Sequence, residues 1–531
     1  MRLHFLIGPI TLVPLAMAQT PMHTVSGGAS HEALGWELGA LGDVNGDGFP
    51  DLVAQSRWDP TGTGHGSVRG ISGVDGSVLY TVYGPPNLTS NNTMSVAGIG
   101  DVNADGIGDF AFASPSDLTT LPSGSVSVYS GVDGSKLYTR FNVNGTGEYG
   151  RHVSGAGDIN GDGIPDVITG TKVDHTTGPH RGMAEVFSGL DGTILYTWFG
   201  SQDTGYFGSA VGAAGDVNND GRDDVIVGAA AEGGNGRAYV YSGLDGSILH
   251  TLVPTSGWEF GGAVDGLGDV DNDGHDDVAV AAPYSRFVQV FSGATGGLLY
   301  ELAAPLGWRF GASIDGKGDL NADGYRDLLV SSPTQELIRA YSGVDGAPLF
   351  VVSVPGLTVA KGVIFTGPIV GTSVVGFAGG GTRTPPGNGA VHQFATECFW
   401  RPYCVTSPNS VGPGATVSIS GSLSISTNST RLQASGCPPN VSAIFIYSRK
   451  RAFLPLSDGT RCVGGHIYRL HVVNTGPNGT PSRLLDFNNM PGLGGTISIG
   501  EGYRFQCWYR DQAAGGTGAN LSNALEAWFC E

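Results

Sequence analysis

Short apolar runs separated by glycine- and aspartate-rich turns fill the chain from residue 34 to residue 353, and their order repeats. One unit shows the order well. Phe207 to Ala214 leads into a polar loop, after which come Asp224 to Ala229 (DVIVGA), Arg237 to Ser242 (RAYVYS) and Ser247 to Leu252 (SILHTL). Each run alternates apolar and polar positions or is continuously apolar over a strand's length, which predicts four β-strands per unit. The Leu244-Asp245-Gly246 link between the last two runs suits a tight hairpin, with glycine taking the positive-φ position.

The loop between the first and second runs is written six times, as GDVNGDGFPD, GDVNADGIGD, GDINGDGIPD, GDVNNDGRDD, GDVDNDGHDD and GDLNADGYRD. The first aspartates are Asp43, Asp101, Asp158, Asp216, Asp269 and Asp319, spaced 50 to 58 residues apart. Four antiparallel strands in a unit of that size make a propeller blade, because a linear solenoid uses shorter repeats with fewer strands. A seventh unit is written without its loop. Thr372 to Ala378 (TSVVGFA) matches the second strand and Gly389 to Phe394 (GAVHQF) the third, but the fourth is missing before Cys398. Met22 to Gly27 (MHTVSG) resembles the fourth-strand runs LYTVYG and LHTLVP. The expectation is therefore an all-β, seven-bladed β-propeller, with six loop-bearing blades and one degenerate blade completed by the N-terminal strand. Such closure removes the exposed edges of an open array.

Every loop carries oxygen-bearing side chains at positions 1, 3, 5 and 9, with glycine at 6. The sets are Asp43, Asn45, Asp47 and Asp51; Asp101, Asn103, Asp105 and Asp109; Asp158, Asn160, Asp162 and Asp166; Asp216, Asn218, Asp220 and Asp224; Asp269, Asp271, Asp273 and Asp277; Asp319, Asn321, Asp323 and Asp327. Calcium takes six to eight hard oxygens in flexible geometry, and carboxylates crowded into nine residues repel one another without a cation. Position 7 (Phe49, Ile107, Ile164, Arg222, His275, Tyr325) would add a main-chain carbonyl, leaving its side chain free to vary. The opening is similar to that of an EF-hand loop, yet the glutamate required at position 12 is absent and Ala54 stands there in the first copy. Asp, Asn and Gly also favour plain turns. Recurrence of the same oxygens in all six loops favours metal, so about six structural Ca2+ are expected.

Phe207-Gly208, Phe260-Gly261 and Phe310-Gly311 each precede an aspartate loop by eight or nine residues, and Tyr149-Gly150 is a close variant. With the loops, they resemble the FG-GAP repeats of integrin α-subunits over roughly residues 20 to 396. The first two units depart from the pattern, with Gly35-Trp36 and Met94-Ser95 in that region. The resemblance implies a ligand-binding or adhesion module with an extracellular protein or carbohydrate partner. Some FG-GAP proteins are lyases or phospholipases, so an extracellular lyase or hydrolase working in the central channel is the alternative. The sequence contains no HExxH, GxSxG or Walker-type loop. Its histidines are dispersed, with His152, His275 and His392 single.

In such a propeller the aspartate loops and the xDG hairpins share one face. The other face carries the connections between strands 2 and 3 and between successive blades, which vary most between copies. Trp58, Arg181, Tyr284 and Arg286 lie in those connections and are the candidate ligand-binding residues, because aromatic and Arg side chains dominate binding energy at interfaces. The blade entries Trp258-Glu259 and Trp308-Arg309 lie on the same face, although a tryptophan at such a place more often packs between blades than binds.

Glycine is abundant, at 89 residues, and charged residues make up only 14%, which suits strands and turns. A net charge of −20 excludes a phosphate-binding surface, so no nucleic-acid partner is expected. Six Ca2+ would bring −20 to −8. Residues 1–18 read as an export signal: Arg2, an apolar Leu3 to Leu15, then Ala16-Met17-Ala18 before Gln19. No run is long enough for a membrane span. All six cysteines fall between Cys398 and Cys530, pointing to disulfides in an oxidising compartment. The organisation expected is thus signal 1–18, propeller 19–396, and a β-sandwich-like, disulfide-linked unit 397–531. Six cysteines allow 15 pairings; sequential pairing, including Cys437–Cys462 and Cys507–Cys530, is the one expected here. In the C-terminal unit Trp508, Tyr509 and Trp528 are candidates for stacking on sugars or for its core.

Overall fold

The computed structural model describes residues 22–28, 32–57, 66–85, 95–115, 124–142, 148–304, 309–321, 323–354, 362–368, 375–381, 389–395, 400–404, 406–420 and most of 423–529. Residues 1–18, Trp58, Trp308, Cys398 and Cys530 lie outside the described residues. Among the described residues, seven four-stranded antiparallel sheets form. The fourth consists of Phe207–Gly215, Asp224–Ala229, Arg237–Tyr241 and Ile248–Leu252. Its first strand touches the first strands of the sheets before and after it. The same contact recurs around the set until Val363–Pro368 of the seventh sheet meets Leu34–Gly42 of the first. The sheets are therefore the blades of a closed propeller.

The seventh blade is assembled from both ends of the repeat region. Val363–Pro368, Val375–Gly381 and Ala390–Ala395 take its first three places, and His23–Ser26 pairs antiparallel with Ala390–Ala395 as the fourth. Bonds from Met22 N–H to the Gln393 carbonyl at 2.7 Å and from Gly27 N–H to the Gly389 carbonyl at 3.1 Å extend this pairing at both ends. The degenerate blade and its N-terminal completion stand as the sequence pattern implied.

The Phe-Gly pairs owe their recurrence to packing between blades. Phe207 is buried among Ile168, Ala184 and Val186 of the third blade and Val225 and Val227 of the fourth. Its backbone bridges Gly182 of the third blade, as Phe260 bridges Gly236 and Tyr149 bridges Gly124. Burial of such a ring contributes about 2–3 kcal/mol relative to exposure. In the first blade the equivalent pair is Leu34-Gly35, not Gly35-Trp36. Leu34 is fully buried and bridges Gly389 of the seventh blade. An aliphatic side chain fills the space of the ring, which hid the match in sequence. In the second blade Met94 lies outside the described residues.

Each first strand ends in a register shift immediately before the aspartate loop, as between Ala213 and Gly215 in the fourth blade and Gly266 and Gly268 in the fifth. The extra residue bends the chain out of the sheet and into the loop.

The C-terminal unit is also all-β. Trp400–Cys404, Ala519–Trp528, Gly502–Arg510, Ser442–Ser448 and Tyr468–Arg469 pair in that order, with Val473–Asn474 also on Ser442–Ser448. Thr416–Ser420, Arg431–Ser435 and Ser482–Leu484 form a second sheet. Val417 and Leu432 of the second sheet share one core with Phe445, Tyr503 and Phe505 of the first, as in a sandwich. Tyr509 is fully buried in that core, and Trp508 packs beside Ile446 and Leu521, so neither ring is a free platform.

The cysteine pairing differs from the sequential expectation. Cys404 is bonded to Cys462. Trp400–Cys404 pairs with Ala519–Trp528, and the strand Gly459–Gly464 packs on that same strand, so Cys404 and Cys462 converge at Ala524. Cys437 and Cys507 are both reduced and buried, which removes Cys437–Cys462 and Cys507–Cys530. The Cys507 thiol is pushed up by its hydrogen bond to the Cys437 thiol and by burial, so these two sulfurs are neighbours.

Candidate metal loops and the opposite face

The aspartate loops fold as the pattern requires. Gly221 at position 6 has φ of 87°, and the same place is left-handed in the other five loops, from Gly48 at 84° to Gly324 at 93°. Only glycine adopts this conformation without steric cost. In the fourth loop Asp216 accepts from Asp220 N–H at 3.0 Å and from Gly221 N–H at 2.9 Å. Asn218 accepts from Asp220 N–H at 2.9 Å, and Asp220 from Arg222 N–H at 3.0 Å. The loops beginning at Asp43, Asp101, Asp158, Asp269 and Asp319 repeat these bonds. Side-chain oxygens of positions 1, 3 and 5 are thereby drawn toward one point. In the fifth loop, where all three are carboxylates, Asp269, Asp271 and Asp273 bring oxygens within 4.8 Å of one another. That spacing and an all-oxygen donor set fit a hard divalent cation.

Position 9 has a second task. Asp224 is fully buried; its Oδ2 accepts from Val217 N–H at 2.9 Å and its Oδ1 from Gly243 N–H at 2.8 Å. The carboxylate thus ties its own loop to the strand 3–4 hairpin. Asp51, Asp109, Asp166, Asp277 and Asp327 do the same. Burial lifts Asp51 and Asp224 to about 7 and Asp166, Asp277 and Asp327 to about 6, against the pull of those backbone bonds. A cation beside them would favour the ionised form. Each Oδ1, which accepts one backbone bond, keeps a second lone pair for it.

The hairpin glycine is fixed by close approach. A Cβ on Gly243 would lie 2.0 Å from the Asp223 carbonyl oxygen, and one on Gly343 1.8 Å from that of Arg326. Gly243→Ala is expected to lower stability by about 1–3 kcal/mol, the usual cost of overpacking. Urea titration of the variant measures this, and an unchanged midpoint would show that the clamp gives way freely.

Position 7 does not vary freely. Phe49 is buried, and Ile164 packs into the apolar cluster between the second and third blades. His275 Nδ1 bonds the Val217 carbonyl at 2.9 Å, and the Arg222 guanidinium lies against Gly161. In the last three the side chain reaches toward the preceding blade, so what varies there is the chemistry of an inter-blade contact. Position 8 joins in: Asp158 N–H donates to Asp223 at 2.7 Å, and Asp216 N–H to Asp276 at 3.1 Å. Neighbouring loops are mechanically linked.

On the opposite face, Tyr284 is 55% exposed and Arg286 is exposed with φ of 66°. Arg181 is held by Asp203 at 2.6 Å. Trp258, expected to pack between blades, is 74% exposed, and its backbone N–H is fixed by Ser285 Oγ at 2.5 Å. Connections of several blades enclose a depression of about 600 Å³, lined by Trp36, Arg151, Lys172, Tyr206, Trp258, Tyr284 and Arg309 among others. Of the candidates named from sequence, Tyr284 lines it, while Arg181 and Arg286 do not. Arg309, at a blade entry noted from the sequence, lines it as well, and sequence reasoning missed Tyr206. Their signal was position, since both immediately precede a Phe-Gly pair, as Glu259 does. All three are left-handed, with φ of 56°, 69° and 64°. Bulky residues held in that region store strain and cluster at functional sites.

Deeper in the channel, Asp265, Asp315 and Lys317 converge. Asp265 accepts from Gly316 N–H at 2.9 Å and Asp315 from Phe365 N–H at 3.3 Å, so each carboxylate braces the next blade. Burial lifts Asp315 to about 7, against the pull of Lys317.

A profile of the FG-GAP repeat matches residues 207–241 and 260–298, most of the fourth blade and most of the fifth. The chain carries integrin-α-like FG-GAP repeats. It is 32% identical over 147 residues to integrin alpha-V of Gallus gallus, covering 24% of this chain and 13% of that protein. It is 33% identical over 172 residues to integrin alpha-4 of Xenopus laevis, covering 30% and 16%. Integrin alpha pat-2 of Caenorhabditis elegans is 30% identical over 239 residues, covering 38% and 19%. The FG-GAP chain thus spans less than a fifth of the length of these relatives. No helix among its described residues is long and apolar enough to cross a membrane.

Proposed function

We propose that this protein is an exported adhesion module, in which about six structural Ca2+ brace one face of an FG-GAP propeller and the opposite face binds an extracellular protein or carbohydrate. The division into a signal at 1–18, a propeller at 19–396 and a C-terminal unit at 397–531 belongs to the same reading. The observation that carries it is the pairing of six like oxygen-lined loops on one face with an aromatic, cation-bearing depression on the other. Rigid blades hold variable loops in fixed positions, and binding residues concentrate on such loops. Calcium acts at a distance, through the linked loops. The likeness to integrin α-subunits supports adhesion over catalysis, and the channel carboxylates have the inter-blade bracing role described above.

Alanine at Trp58, Arg181, Tyr284 and Arg286, singly and combined, should weaken adhesion to the native surface while calcium content and melting temperature stay unchanged. Tyr284→Ala should cost most of the four, as the residue that lines the depression. If adhesion survives all four and is lost on deleting 397–531, the C-terminal unit is the binder and the propeller only its scaffold.

A further inference from the structure

The depression on the loop face has its charge and its aromatic surface in separate places. Trp258 and Tyr284 are exposed at its rim, whereas Lys172 and Arg309 are half-buried within it. Lys172 has no ion-pair partner among the described residues; its ammonium sits 5.9 Å from the centre of the Tyr206 ring. Arg309 likewise forms no ion pair among them, and its Nε is buried without a hydrogen-bond acceptor. Arg151 adds a third cation, shared with Glu148, and Arg57 lies over the Trp36 ring at 4.8 Å. Two acids, Glu37 and Glu259, also face the space, and Glu37 is engaged by Val96 N–H at 3.2 Å. On a chain of net charge −20, this concentration of cations around one cavity is a local reversal of sign.

Half-buried cations that form no close ion pair cost desolvation energy that a ligand anion recovers, and Glu259 and Glu148 attract Lys172 without pairing with it. Lys172 is held below its ordinary range chiefly by that burial, and next by Arg151. The volume, about 600 Å³, is far more than one small ion fills and lies within the range of ligand pockets. Flat rings with free faces at the rim accept the C–H face of a sugar ring, because the face of an aromatic ring carries partial negative charge. An acidic peptide would satisfy the cations equally well, but it would make less use of two broad, fixed ring faces beside them.

We infer that this depression binds a sugar acid, its carboxylate at Lys172 and Arg309 and a ring stacked on Trp258 or Tyr284. The assignment rests on the proposed binding role of this face and narrows it to one ligand class.

Isothermal titration of the full chain with trigalacturonate, a hyaluronan tetrasaccharide and sialyllactose, against maltotriose and hexaglutamate, tests it. At least one acidic sugar should bind, weakening as NaCl rises from about 0.05 to about 0.5 M because screening shortens the reach of the cations. Maltotriose should not bind. Lys172→Gln and Trp258→Ala should each reduce affinity about tenfold or more, about 1.4 kcal/mol, while Lys172→Arg retains most of it and all three variants melt normally. Equal binding of maltotriose, or tighter binding of hexaglutamate, would overturn the assignment. If no acidic sugar binds but Trp258→Ala abolishes adhesion to the native surface, the face remains the binder and the sugar-acid class falls. If adhesion survives both Lys172→Gln and Trp258→Ala, the face and its ligand class fall together.

Discussion

Removing divalent metal with EDTA should lower the melting temperature by about 10 °C or more, and re-adding calcium should restore it. The size follows from mass action. A site saturated about 100-fold above its Kd adds about 2.7 kcal/mol, which is about 3 °C in a propeller of this length, so three or four of the six sites give a shift of that order. Metal analysis should return close to six ions per chain. Asp216→Asn with Asp220→Asn should remove one of them, because both oxygens drawn to the centre of the fourth loop are weakened together. The competing account is that the loops are turns satisfied by their own hydrogen bonds, which are all present. It predicts no bound metal and no response to EDTA. Asp224→Ala distinguishes a further contribution: it should destabilise the protein even in EDTA, since Gly243 N–H loses its acceptor and Val217 N–H keeps only the Gly215 carbonyl at 3.1 Å. A buried donor left unsatisfied costs about 1–3 kcal/mol.

What was legible in the sequence is local, and what was not is relational. Strand runs, the loop glycine and the hairpin are dictated within about ten residues, so six copies made them readable, down to the displaced strand at Met22 to Gly27. The part played by Leu34 was hidden because its space is defined by the seventh blade, which tolerates an aliphatic residue where other blades use a ring. The contacts of position 7 were hidden for the same reason: His275 and Arg222 have partners more than fifty residues away, in the preceding blade. Cysteine pairing depended on Ala519–Trp528 bringing two distant strands together. The depression was the least legible feature, since five blades contribute to it. No spacing in the chain marks Tyr206 and Arg309 as neighbours; only their place before Phe-Gly hints at it.

Deleting residues 22–27 should open the ring at its seam. His23–Ser26 covers the outer edge of Ala390–Ala395, Val25 packs beside Leu34, Ile71 and Val391, and Thr24 Oγ1 meets His392 Nδ1 at 3.0 Å. Without the strand, a row of unpaired N–H and C=O groups on Ala390–Ala395 faces solvent, a template for pairing with another chain. The truncated protein should melt at a lower temperature and form oligomers in size-exclusion chromatography with light scattering. Acidification should loosen the same seam in the intact chain. Burial lowers His23 to about 4, with Asp75 pulling the other way, whereas an unfolded histidine titrates near 6.5. Between those values the unfolded chain binds the extra proton, so stability is complete above pH about 6.5 and is lost as pH falls toward about 4. His23→Gln should remove that part of the pH dependence. A truncated protein that stays monomeric and melts like the intact chain would place closure on the inner strands Val363–Pro368 and Leu34–Gly42 alone.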